Sequence, residues 1–227
     1  MTKRRFIRLR WVSLGLALTT AACLLPPAEG AATAGGAPAQ VVSGTRFVIW
    51  DGDGGGLDGG QSWADCNPKP GCSASLQSAP GKGHEGSGGL AYHAEGKEWN
   101  GGGWNWLGWY PPDGGNDISA YDTLEFWVRL EAESPEKAPG KDGFGVLLGS
   151  SSNGGKSSGT AMITKYAEGD VYDGEWHKVV IPLSDLYIGR EGEQFDQKTA
   201  WEFRVTTWDP HPRNFTVYFD DIAFVKN

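Results

Sequence analysis

Four histidines, three cysteines and scattered carboxylates are the first residues of this chain to weigh for covalent, acid–base or metal chemistry. His84, His93, His177 and His211 stand at no metal-ligand spacing, and none accompanies a nucleophile elbow. Each is expected on the surface or in packing. The run "GKGHEG", residues 81–86, satisfies G-x-G-x-x-G. No strand immediately precedes it, however, and the apolar "GLAYHA" follows where a dinucleotide site needs a helix. Acidic pairs are plentiful, but a glycosidase needs two carboxylates at a set separation, and no catalytic carboxylate motif is recognisable. Binding is therefore a better expectation than catalysis.

Cys66 and Cys72 are spaced C-x5-C around "NPKPG". Two prolines in so short a loop favour a closed disulfide if the compartment is oxidising. The N-terminus points to such a compartment. Lys3, Arg4, Arg5, Arg8 and Arg10 precede an apolar run from Trp11 to Leu25, which ends at Pro26 and Pro27 before small residues. Residues 1–30 read as a secretory signal peptide cleaved between Gly30 and Ala34, and a retained span, which needs about 20 apolar residues, is the weaker reading. "TAAC" offers an alternative, lipidation at Cys23, although Thr20 replaces the usual leucine. Loss of residues 1–30 removes five basic residues and Glu29, leaving 15 basic against 27 acidic and a net charge of −12. Such a surface repels nucleic acid and anionic lipid.

The elements that must position these residues are strands. The chain has 35 glycines and 11 tryptophans, and no helix of ordinary length shows in its pattern. In "TLEFWVRL", Leu124, Phe126, Val128 and Leu130 alternate with Thr123, Glu125, Trp127 and Arg129, giving one core face and one polar-aromatic face. Similar runs occur at "RFVIW", "GLAYHA", "WNWLGWY", "FGVLLGS", "AMITKY", "WHKVVIPL", "WEFRVTTW" and "NFTVYFDDIAFV". That makes about nine or ten strands, the number of an all-β, two-sheet antiparallel sandwich. Phe215, Val217 and Phe219 share one parity, Ile222 and Phe224 the other, and a bulge at Asp220 and Asp221 explains the switch. Residues 31–44 form a small-residue tail, and residues 45–227 form one domain.

"DISAYDTLEFWVRL", "GEWHKVVIPLSDL" and the terminal "FTVYFDDIAFV" resemble successive strands of carbohydrate-binding modules with the galactose-binding-like jelly-roll fold. The likeness runs from Phe47 to Val225. It implies a β-sandwich, noncatalytic glycan binding and, often, a structural calcium between the first and last strands, with Asp220 matching the family's terminal ligand. The loop "DGDGGGLDGG" offers Asp51, Asp53 and Asp58 as further ligands, in a glycine-rich turn that lets carbonyls converge. It is no EF-hand, having Gly55 at position five and Ser62 where the bidentate glutamate belongs. The same aspartates also suit Asx-turns, and both readings stand.

Sugars stack C–H faces on aromatic rings and need polar partners for their hydroxyls. Trp127 lies between Glu125 and Arg129, and Trp208 shares parity with Glu202, Arg204 and Thr206. The expected site is one sheet face carrying Trp127, Trp208, Arg129, Arg204 and Glu125. In "GGGWNWLGWYPP", Trp104 or Trp106 is expected at its edge, with core packing as the alternative for either ring. The expected protein is a secreted monomer that binds a polysaccharide. The alternatives are a jelly-roll glycoside hydrolase or polysaccharide lyase, and a surface or matrix module that binds protein.

Overall fold

Alternating apolar residues give nine strands: β1 (Arg46–Trp50), β2 (Gln61–Asn67), β3 (Ser73–Ala79), β4 (Gly89–Asn105), β5 (Thr123–Ala132), β6 (Phe144–Ser150), β7 (Ala161–Met162), β8 (His177–Pro182) and β9 (Ala200–Val225). The structure is a computed structural model that describes residues 44–52, 60–86, 88–108, 114–151, 156–189 and 194–227. The signal peptide, Cys23, nearly all of the tail, Asp53 and Asp58 lie outside the described residues. Short 3₁₀ turns are the only helices among the described residues, and no helix there is long and apolar enough to cross a membrane.

Two strands are far longer than the sequence suggests. "GLAYHA" opens β4 and the first residues of "WNWLGWY" close it, while "WEFRVTTW" and "NFTVYFDDIAFV" are the two arms of β9. β4 and β9 pair antiparallel along both arms, from Leu90↔Phe219 to Asn105↔Glu202, with a register shift between Gly96 and Glu98. The first arm of β4 and the second arm of β9 build one layer with β3, β5 and β8, and β1 pairs with the end of β9. The other two arms build a second layer with β2, β6 and β7.

The layers lie face to face. Phe203 and Phe219 are 16 positions apart on β9, about 50 Å along an extended strand, yet their ring centroids are 5.4 Å apart. Phe126 of β5 meets both rings at 5.7 Å, so the core is the space between the layers. β2 and β3 escape a periodicity reading because "QSWADCN" and "SASLQSA" are mostly small and polar. A disulfide between Cys66 and Cys72 joins them, as expected.

The bend is where the backbone is unusual. Gly96 has φ +105°, and a Cβ there would meet the Gly71 carbonyl oxygen at 2.7 Å; Glu98 adopts φ +66° without being glycine. Arg213, opposite Gly96, is fully buried and donates from Nε to the Gly96 carbonyl and from Nη2 to the Glu98 carbonyl. The expected bulge at the last strand is also present. Glu125 pairs with Ala223 and Trp127 with Asp220, so Asp221 (φ +51°) and Ile222 share the space opposite Phe126. The two ends of the fold meet, Arg46 pairing with Val225 and the Lys226 amide donating to the Thr45 carbonyl at 2.8 Å.

Replacing Arg213 by methionine keeps the buried stem and removes the donors from two carbonyls in the bend. The variant should lose about 2 to 4 kcal/mol of stability in urea unfolding, and wild-type stability would show that these bonds do not hold the bend.

Candidate functional site

The expected platform divides between two surfaces. Glu125, Trp127 and Arg129 point outward from the first layer, while Glu202, Arg204, Thr206 and Trp208 point outward from the second, with Phe126 and Phe203 packed between them. The single face carrying Trp127 and Trp208 together therefore does not exist. Parity correctly placed each residue away from the core; the folding over of β9 put them on opposite sides.

The outer face of the first layer is closed upon itself. The His84 ring lies stacked on Trp127 at 3.8 Å and 11° and meets Trp176 edge-on at 5.8 Å. The Arg129 guanidinium sits 4.9 Å from the Tyr218 ring centroid and 5.2 Å from that of Trp176, and pairs with Glu131 at 3.0 Å. Glu125 pairs with Lys178 at 2.9 Å. Burial, helped by Glu131, raises the Tyr218 phenol above its ordinary range, so the ring stays neutral. These side chains engage one another through cation–π and ionic contacts, although Arg129 Nε is buried without a hydrogen-bond partner.

Among the described residues the outer face of the second layer carries no such ring cluster, and its floor is glycine. Gly101 and Gly103 of β4 lie between Asp65 and Trp63 of β2 on one side and Thr206 and Arg204 of β9 on the other. With no side chains beneath them, two indoles lie down. Trp99 covers Gly101, its ring 2.6 Å from the position a Cβ would take, and donates through Nε1 to Thr206 Oγ1 at 3.1 Å. Trp63 covers Gly103 and donates through Nε1 to Glu202 Oε1. Trp208 stands directly opposite Trp99 in the ladder and is 58% exposed.

Charge on this floor is paired. Glu202 is buried and also accepts from Arg204 Nε, whose Nη1 donates to Ser157. The hydrogen bond from Lys69, with a second from the Cys66 amide, holds the Asp65 carboxyl below its ordinary range. The surface thus offers ring faces beside fixed donors and acceptors, the two requirements for a pyranose. Trp63 and Trp99 were missed by sequence reasoning. The signal was present in "EWNGGGWN", where Trp99, Gly101 and Gly103 share one parity, leaving an indole beside positions with no side chain.

Trp104 and Trp106 are not at the edge of this groove. β4 is central in its layer, so Asn100, Gly102 and Trp104 turn inward; Trp104 packs edge-on against Trp50 at 5.0 Å and donates to the Ile49 carbonyl at 3.1 Å. Trp106 follows the strand end, is fully buried, and donates to Asn116 Oδ1 at 2.8 Å. Trp106 belongs to the core and Trp104 packs against it partly buried, the alternative reading of that stretch. Trp109 and Tyr110 lie outside the described residues.

Of the expected metal ligands, Asp220 is buried in the bulge and accepts from the His84 amide at 2.8 Å and the Asp221 amide at 2.9 Å, one on each oxygen. Asp51 follows β1 and is half-buried, and Asp53 lies outside the described residues. Among the described residues no three of His, Cys, Asp and Glu converge as a metal site.

A two-layer antiparallel sandwich is an architecture found among carbohydrate-binding modules. The chain belongs to the family Carbohydrate binding domain 30, whose model matches residues 40–226, and carbohydrate binding is its function. Among solved structures, the family 30 carbohydrate-binding module of the cellulosomal cellulase Cel9D-Cel44B of Clostridium thermocellum has TM-score 0.54 and 20% identity, over 73% of this chain and 91% of that one. The family 11 module of the cellulosomal cellulase Lic26A-Cel5E of the same organism has TM-score 0.50 and 13% identity, over 83% and 97%. A β-1,2-glucanase from Parabacteroides distasonis has TM-score 0.52 and 18% identity, over 79% of this chain and 24% of that one. Comparison with curated proteins gave no match.

The first-layer rings are engaged by protein partners. Trp127→Ala should lose about 2 kcal/mol of stability, with a lower melting temperature, yet retain polysaccharide like the wild type. Weakened retention by a folded Trp127→Ala would assign that face to binding.

Proposed function

We propose that the chain is an exported, noncatalytic, monomeric module that holds a neutral β-linked glucan of the cellulose type across the outer face of its second layer. Trp63, Trp99 and Trp208 stack on the sugar rings, while Arg204, Gln61 and Asp65 meet hydroxyls. The observation that carries this reading is the pair of indoles covering Gly101 and Gly103 on the face that also carries exposed Trp208. A glycine floor admits a flat chain where side chains would hold it away. Neutrality of the ligand follows from charge: the protein is acidic and Arg204, the cation of the floor, is already engaged by Glu202, so a uronate polymer would meet net repulsion. The cellulase origin of the similar family 30 module supports the cellulose-type ligand.

Trp99→Ala and Trp208→Ala should each weaken retention on swollen cellulose by about 1 to 3 kcal/mol with little change in melting temperature. Full retention by both variants would place the site elsewhere, and release of reducing ends from the same cellulose would overturn the noncatalytic reading.

We also propose the calcium. Its support is a buried carboxylate, Asp220, at the bulge beside the end of β1, with Asp51 and Asp53 in the following glycine-rich loop. A metal that binds the folded state raises the melting temperature by mass action. Protein stripped of metal should melt several degrees lower in chelator than in millimolar calcium, and coincident melting curves would remove the metal.

A further inference from the structure

The row that carries Trp99 and Trp208 does not stop at β9. The Trp208 amide donates to the Gly143 carbonyl at 2.9 Å, and Oδ2 of the next residue, Asp209, accepts from the Gly140 amide at 3.0 Å. Residues 140–143 therefore continue the line Trp99–Trp208 beyond the strand. Around Gly140 opens a cleft of about 680 Å³, well inside the range of about 300 to 1,000 Å³ typical of small-ligand sites. Pro135, Pro139 and Pro212 give it apolar walls, Tyr172, Lys141 and His211 stand among them, and Glu136 and Asp209 add carboxylates.

The chemistry of these walls matches that of the groove. The Lys141 ammonium lies 5.8 Å from the Tyr172 ring centroid. Burial, with Asp170, Asp142 and Asp209 nearby, pushes the Tyr172 phenol up to about 12, so the ring is neutral. Its hydroxyl is enclosed, and the residue lines the cleft beside Lys141. Ring and prolines suit the C–H face of a sugar; Lys141 and His211 supply polar groups for hydroxyls.

We propose that this cleft is an outer subsite of the glycan groove. A chain lying on Trp99 and Trp208 runs on past Gly143 and seats a further sugar residue between Tyr172 and the proline walls. The proposal rests on the reading of the second-layer face as the binding site and extends it from a three-tryptophan platform to a longer path that selects for chain length.

The test uses the whole protein with cellotriose and cellohexaose, followed by calorimetry and by amide shifts in solution. The hexaose should bind about tenfold or more tighter than the triose and should shift the amides of Lys137, Lys141 and Tyr172, which the triose leaves unmoved. Lys141→Ala, an exposed site safe for folding, and Tyr172→Leu should each cut hexaose affinity about three- to tenfold while leaving the triose within about twofold. Hexaose shifts confined to the tryptophan groove, with both variants silent, would overturn the subsite and leave the groove intact. Binding of neither sugar would overturn the reading of the face and the subsite with it.

Discussion

The architecture hangs on the bend in which Arg213 reaches the carbonyls of Gly96 and Glu98. β4 and β9 are the central strands of both layers, so one corner sets how the layers meet. A ladder that turns so sharply must release carbonyls from their strand partners, and a buried carbonyl without a donor is costly. A guanidinium can serve two of them at once and keep its charge. Burial pulls the Arg213 pKa down, while Asp209, Tyr92 and Glu98 push it back, and the ordinary value is high enough that the group stays protonated. Gly96 lets the chain pass close to Gly71 and Cys72, so the disulfide hairpin and the bend are fixed against each other.

Much of this could be read from the residues. Alternation in "TLEFWVRL" fixed which side of β5 is core, and the change of phase at Asp220 located the bulge, because parity is a local property of an extended chain. The two-layer sandwich followed from many short apolar runs. What parity cannot carry is the assignment of a face to a layer. Trp127 and Trp208 both point away from the core, and only the corner, set by one glycine, one strained glutamate and one distant arginine, decides that they point in opposite directions. Trp63 escaped notice because β2 lacks an apolar alternation, and Trp104 and Trp106 misled because a central strand is covered on its inner side.

The two outer faces show why aromatic residues beside charged ones do not define a site by themselves. On the first layer, His84 covers Trp127 and Arg129 bridges Tyr218 and Trp176, so the rings are consumed by protein partners. On the second layer the missing side chains of Gly101 and Gly103 let Trp99 and Trp63 recline, with their indole N–H groups anchored on Thr206 and Glu202. Each ring is held by its polar edge, which fixes its orientation in advance and lowers the entropy lost when something stacks upon it.

The meeting of Thr45 with Lys226 has a mechanical meaning. Polypeptide leaving the sandwich at these two points departs from one spot, where β1 and the end of β9 close the first layer. Force applied between these two points would load the β1–β9 ladder from its open end, pair by pair, the arrangement in which hydrogen bonds yield one at a time.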